Sequence, residues 1–277
     1  MSKENPIFKL KRVFLYFAVV FYVIAMLFPI YWILVTSFQD SDAVNFVPRI
    51  LTLRNYITIF TSDRFNIITP LYNSLRVALS TTFICILLGV LSAYAFARLK
   101  FKGSNVLFLI LIFTEMLPPV ALLIPFFLLY QRLHLFNTWY GLVIGYVAWL
   151  LPITTWVLYS YFQSIPKDLE EAARADGATR VGALFKIVLP ISAPGIIAAT
   201  VICFMFSMGE FLFAVTVATA EKAQTLTVNM NIFITKFQIE YGYLTATTIV
   251  TLLFPVTLVL ILQRFLIEGL TKGAVKE

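Results

Sequence analysis

The 277 residues are 60% hydrophobic and only 13% charged, with a mean hydropathy of +0.90. Soluble domains are about half apolar and roughly a quarter charged, so this composition excludes an ordinary water-soluble enzyme and points to lipid as the solvent. The net charge of +7 is spread between apolar runs and forms no single basic patch, which argues against a nucleic-acid partner.

Residues 1–12 form a short basic tail with Lys3, Lys9, Lys11 and Arg12. An uncharged run follows over 13–39, longer than the roughly 20 residues a bilayer needs. It ends without the small-residue cleavage site of a secretory leader, so it reads as a retained first span. Residues 40–73 are mixed and polar, an expected external loop. The second span covers 74–96 and is closed by Arg98, Lys100 and Lys102. The third covers 106–130 and holds Glu115 and Pro118-Pro119. The fourth covers 138–162, with a kink expected at Pro152. A polar stretch over 163–191 interrupts the apolar pattern. The fifth span, 192–218, contains Pro194 and Glu210. A second external segment spans 219–244, and the sixth span, 245–266, contains Pro255. Residues 267–277 are a polar, glycine-bearing tail. No internal repeat is visible, so nothing suggests the inverted repeats of many secondary transporters.

The polar stretch reads as two short helices. Ser164 is the expected cap of the first, with Pro166 in its opening turn and Asp168, Glu170 and Glu171 near its positive end. Leu169, Ala172 and Ala173 share one face, and Asp176-Gly177 ends the helix. Thr179 starts the second helix, Val181, Leu184, Phe185 and Val188 form its apolar stripe, and Pro190 is expected to stop it. Charge alone would equally suit a solvated loop. The spacing is more specific. Glu171-Ala172-Ala173, three residues, Gly177, nine residues, Ile187, one residue, Leu189-Pro190 resembles the EAA motif of permease subunits of binding-protein-dependent ABC importers. Two flanking stretches, Asn73-Ser74-Leu75-Arg76 and Ala93 through Gly103, resemble the MalG-type sugar permeases of that family, as does the C-terminal segment over 264–277.

The resemblance implies an all-α permease with six spans over 13–266, placed in the cell membrane. It implies coupling helices that dock into a pair of separate ATPase subunits through Glu171, Ala172, Ala173, Gly177, Ile187, Leu189 and Pro190. ATP and Mg would then be bound by those subunits, with no cofactor in this chain. The further partners implied are a second homologous permease, an extracellular sugar-binding protein and membrane lipid. A tail of this type reaches between the ATPase subunits, which gives Lys272, Lys276 and Glu277 a role there. The cargo implied is a sugar. The alternatives are an importer of another solute, such as a phosphorylated polyol, amino acid or peptide, or an ATP-independent secondary transporter.

The residues themselves offer no catalytic site. There is no Walker A pattern, nucleophile elbow or zinc signature. His134 stands without Cys or His neighbours, and Cys85 and Cys203 read as buried hydrophobes, so no metal is expected. Glu115 and Glu210 are the two acids within spans, where charge is costly and functional by default. For Glu115 a pathway position and an interfacial, water-facing position both stand. Related sugar permeases often carry an amide there. Gly209-Glu210-Phe211 resembles the family's Asn-Glu-Phe stretch, with Gly209 in place of asparagine, and makes Glu210 and Phe211 pathway candidates. The 27 Phe and 13 Tyr suit membrane packing as well as sugar stacking, and no ring is assigned.

Basic residues sort by side. Lys3, Lys9, Lys11, Arg12, Arg98, Lys100, Lys102, Lys167, Arg174, Arg180, Lys186, Arg264, Lys272 and Lys276 fall together. Arg49, Arg54, Arg64, Arg76, Arg132, Lys222 and Lys236 fall opposite or near it. The bias places both termini and the polar stretch in the cytoplasm. A reporter fused after Gly273 is expected to be cytoplasmic and one inserted at Thr61 external; a cytoplasmic signal at Thr61 would break the six-span assignment.

Overall fold

Uncharged runs in lipid can satisfy their backbone only as helices or closed barrels, and this chain takes the helical solution. The computed structural model describes all residues except 1–5, 41–45, 47–49, 100, 237 and 275–277. The helices are α1 (Pro6–Ser37), α2 (Arg54–Thr61), α3 (Ile68–Arg98), α4 (Ser104–Phe113), α5 (Pro119–Arg132), α6 (Trp139–Ser164), α7 (Lys167–Ala175), α8 (Arg180–Ala183), α9 (Leu189–Ile191), α10 (Ala193–Gly209), α11 (Leu212–Val217), α12 (Leu226–Asn229) and α13 (Tyr241–Ala274). Among the described residues, four segments, Phe14–Ser37, Ile68–Arg98, Trp139–Ser164 and Tyr241–Phe265, are long and apolar enough to cross a membrane, and the number is six if each of two bent helix pairs is one span.

Several helices depart from the spans expected. The third span is not continuous: Ser104–Met116 and Pro119–Arg132 meet at 97°. Pro118 and Pro119 cannot donate to the preceding turn, and they force Leu117 into an extended conformation. The fifth span breaks at Glu210 and Phe211, between α10 and α11. Pro152, by contrast, lies inside an unbroken α6. α3 begins at Ile68, so Asn73 and Ser74 sit within it rather than opening it. The C-terminal stretch from 267, expected to be loose, has helical backbone as far as Ala274. It continues α13 without an intervening proline.

The helices form two compact units. One comprises the described residues up to Asn66 together with Met230–Val250. In it the buried Asn55 amide donates to the Ser37 carbonyl at 2.9 Å, and Ser37 Oγ shares a 2.8 Å hydrogen bond with Tyr56. The rings of Phe65, Phe233 and Tyr243 lie 5.0–6.1 Å apart. The large apolar side chains of α1 from Phe14 to Tyr31 are mostly exposed. A helix apolar on all sides is made for lipid or another helix.

The other unit is Ile67–Asn229 with the described residues from Thr251. Its axis is the seam between α3 and α6. Ser92 Oγ and Thr155 Oγ1 share a 2.8 Å hydrogen bond, and Thr154 Oγ1 lies 3.1 Å from Cys203 Sγ, which brings in α10. Small side chains let the backbones approach, as membrane helices require. At the far end of α3, Asn73 Nδ2 donates to the Lys222 and Gln224 carbonyls at 3.1 and 3.0 Å, and Ser74 Oγ accepts from the Leu226 N–H at 2.7 Å. The segment before α12 is pinned there by side chains.

The seam sets a steric test at Gly89. A Cβ there would lie 2.6 Å from Thr154 Cγ2, and Thr154 is buried and β-branched. Gly89→Ala is expected to destabilise the protein by about 1–3 kcal/mol, the usual cost of overpacking. Gly209→Ala, where a Cβ meets nothing within 4 Å, serves as the control. Thermal denaturation in mild detergent should separate the two; equal midpoints would show that the seam is not tightly packed.

Candidate functional site

The polar stretch folds at the end of α6. Ile165 and Pro166 are extended, with Pro166 at the N-cap of α7, and no side chain caps this helix. Ser164 was the expected cap, but the extended pair carries it away. It remains in the last turn of α6 and donates to the Tyr161 carbonyl at 2.8 Å. α7 ends in a closed turn. Gly177 has φ +93°, its N–H meets the Arg174 carbonyl at 3.1 Å, and the Ala178 N–H meets the Ala173 carbonyl at 2.9 Å. These are the two hydrogen bonds of a Schellman ending, which fix the interval from Ala173 to Gly177. Thr179 caps α8, accepting the Gly182 N–H at 3.1 Å. A π turn over Leu184–Val188 leads into α9, which contains Pro190. Pro190 therefore does not end this helix. The widened turn accommodates a residue without an N–H, and the chain breaks only at Ser192.

The faces also differ from the expected ones. Leu184 and Val188 are buried among Val90, Ala93, Leu158 and Phe162 of α3 and α6, with Leu189 packed at the edge. Val181, Phe185 and Leu169 point outward, at 64%, 59% and 44% exposure. Glu171, Ala172 and Pro190 are exposed, and Ala173 and Ile187 are half-buried. The residue that α7 turns inward is Glu170. Its carboxylate accepts from Arg98 Nε and, at 3.1 Å, from the Tyr94 hydroxyl. The Arg98 guanidinium also donates to the Ile165 carbonyl at 2.9 Å. Sequence reasoning missed this cluster. Arg98 and Glu170 lie 72 positions apart, and Arg98 reads from sequence only as a side marker. The available signal was a pair of adjacent acids in a helix where only one could face water.

The two acids within the spans have different surroundings. Glu115 lies in a 3₁₀ turn, Thr114–Met116, at the break of the third span. It helps line a cavity of about 170 Å³ with Thr114, Leu122, Phe126, Ala148 and Trp149. Glu210 sits at the break of the fifth span and holds it together. Its carboxylate accepts from the Phe213 and Ala214 N–H groups at 2.7 and 3.0 Å and from the Tyr146 hydroxyl at 2.8 Å. Its carbonyl accepts from Thr227 Oγ1 at 2.8 Å. Phe211, beside it, is exposed. In the C-terminal segment Lys272 lies on α13, while Lys276 and Glu277 lie outside the described residues.

Residues 85–272 match the family described as the binding-protein-dependent transport system inner membrane component. The chain belongs to this family. The match takes in the seam contacts, both breaks and the polar stretch. Among curated relatives, the chain is 36% identical over 255 residues to the sulfoquinovosyl glycerol transport system permease SmoH of Agrobacterium fabrum, covering 90% of this chain and 89% of that one. It is 33% identical over 271 residues to the trehalose/maltose transport system permease MalG of Thermococcus litoralis, covering 96% and 98%. It is 36% identical over 255 residues to the trehalose transport system permease SugB of Mycobacterium tuberculosis, covering 90% and 92%. The fold is similar to a chain of a bacterial ABC transporter that imports the acidic polysaccharide alginate, with TM-score 0.78, 21% identity and coverage of 95% and 98%.

Within this permease family fold, Gly177 and Glu171 allow a direct test. Gly177→Pro removes the N–H of the turn and demands φ near about −65°, opposite in sign to the angle here. Glu171→Lys reverses an exposed charge, a change whose folding cost is usually within about 0.5 kcal/mol. Both variants are expected to reach the membrane and to lose solute uptake by about tenfold or more, a typical coupling energy. Uptake in membrane vesicles, normalised to permease level, checks this; normal rates in both would remove the stretch from coupling.

Proposed function

We propose that this chain is one permease half of an ABC importer for a carbohydrate. It forms part of the translocation pathway and receives the work of ATP hydrolysis through α7, α8 and α9 from separate ATPase subunits, which bind the ATP and Mg. The observation that carries this reading is the polar helix pair at one end of an apolar bundle. It combines the spacing from Glu171 to Pro190 with outward-facing Leu169, Val181 and Phe185. Apolar side chains turned outward beside charge mark a surface made for a protein partner rather than for lipid. A second homologous permease and an extracellular sugar-binding protein complete the assembly. Both termini and the coupling helices face the cytoplasm, where Lys272, Lys276 and Glu277 reach the seam between the ATPase subunits.

The relatives' names carry trehalose, maltose and sulfoquinovosyl glycerol, and a structural neighbour imports alginate. All are carbohydrates, which supports a sugar as cargo. On the pathway, the Glu115 cavity has suitable chemistry. A carboxylate accepts hydroxyl hydrogens, and the Trp149 ring offers an apolar face to a sugar's C–H groups. Glu210 and Phe211 are the pathway candidates at the second break, which the Glu210 carboxylate also holds together.

The test is to reconstitute the complex with its second permease, ATPase subunits and binding protein in vesicles. Labelled sugar is expected to accumulate only with ATP. Uptake that persists without the ATPase subunits would favour an ATP-independent transporter, and accumulation of only an amino acid or peptide would replace the cargo.

A further inference from the structure

The cluster around Glu170 has no place in the family motif, which runs through its neighbour Glu171. Its geometry is nevertheless the most constrained on this face of the molecule. The Arg98 and Glu170 side chains are only 6% and 9% exposed. Four chain segments meet there. Arg98 and Tyr94 come from the last turns of α3, Glu170 from the first turn of α7, Ile165 from the end of α6, and the Arg180 carbonyl, 3.4 Å from the Tyr94 hydroxyl, from the start of α8. Lys167, Arg174 and Arg180 flank the cluster along a cleft of about 100 Å³.

Stability alone is a poor account of such a pair. Buried ion pairs often add no more than apolar side chains of the same volume, because desolvation offsets the attraction. What they add is a fixed register. The apolar contacts of Leu184 and Val188 with α3 and α6 can slide without a sharp penalty. A forked guanidinium held by a carboxylate and a carbonyl, with a hydroxyl on the same carboxylate, has one position and fails if moved. Rigid connections of this kind are what carry energetic coupling between separated sites.

We propose that Tyr94, Arg98 and Glu170 form a polar joint that locks the first coupling helix to the end of α3. The joint makes α3, and through its seam α6, the span pair that moves with the ATPase subunits. The proposal rests on the importer reading above. Consecutive helix positions point about 100° apart, so Glu170 faces the bundle while Glu171 faces outward. Glu171 serves docking; Glu170 is a positioning residue that transmits the displacement.

The experiment compares sugar imported per ATP hydrolysed in reconstituted whole complexes, each normalised to assembled ATPase. Glu170→Gln is expected to co-purify with the ATPase subunits and to hydrolyse ATP in response to loaded binding protein, with the sugar-to-ATP ratio lowered about tenfold. Tyr94→Phe should lower the ratio about threefold, the effect of one hydrogen bond. Arg98→Lys keeps the charge but not the fork, and should fall between them. A residue that merely stabilises the fold would lower assembly and leave this ratio unchanged. Should Glu170→Gln fail to accumulate, the Tyr94 and Arg98 variants decide the matter by the same ratio. A normal ratio in the assembled variants overturns the joint. Absence of ATP-dependent uptake in the unmodified complex overturns the importer reading and the joint together.

Discussion

Lipid cannot hydrogen-bond to an interrupted helix, so each break in this chain must supply its own partners. Most of the functional architecture follows from how it does so. At the fifth span, Glu210 gives its carboxylate to the amides of Phe213 and Ala214 in the first turn of α11. At the third span the solution is subtraction. Pro118 and Pro119 open α5 without N–H groups, so fewer donors are left to satisfy, and the Ala121 N–H returns to the Pro118 carbonyl at 3.0 Å. Such breaks are tolerated only where the loosened backbone faces protein or a cavity. The turn that carries Glu115 does border a cavity.

Between the breaks, the α3–α6 seam supplies rigidity without a hydrophobic drive. Neighbouring helices in lipid gain little from burying apolar surface, so small side chains and short polar contacts decide the fit. Ser92 with Thr155, and Thr154 with Cys203, are of this kind. Each such contact is worth only about 0.6 kcal/mol on average. Their value is geometric: they allow α3 and α6 to lie close together. α1 follows the opposite logic, with its large apolar side chains left outward for lipid or another helix.

The sequence displayed the lengths of the apolar runs and the turn at Gly177, because both depend on local chemistry. Gly177 is legible because only glycine takes its positive φ without strain. The double proline was visible, but the third span reads as continuous in sequence; neither the break nor its 97° angle was legible, since the angle depends on what α5 packs against. Ser164 was misread because the expectation placed the start of α7 two residues too early; the extended Ile165-Pro166 pair intervenes. Glu210 stands out as a pathway candidate because a charged group in a span is usually functional, but its role in holding the break is not legible in sequence. Its actual partners are backbone amides three and four positions ahead and a tyrosine on another helix. The joint at Glu170 was the least legible. Helical periodicity put Leu169, Ala172 and Ala173 on one apolar face, yet Leu169 points outward, because a guanidinium from α3 made the neighbouring carboxylate the group worth burying.

That inversion separates two kinds of information within two adjacent residues. An exposed carboxylate such as Glu171 contributes little to its own chain, because solvent screens it. Its worth is realised only against a partner surface that excludes water. A buried carboxylate such as Glu170 is costly unless its partners are built in, so its worth is fixed within the chain before any partner arrives. The motif is therefore a description of the outward half of α7. The inward half depends on where α3 ends, and no spacing within the polar stretch encodes that. A force applied to the outward face reaches the bundle only as far as the inward face is held. The path from Glu171 to α3 is thus a single residue along α7 and one ion pair across to Arg98.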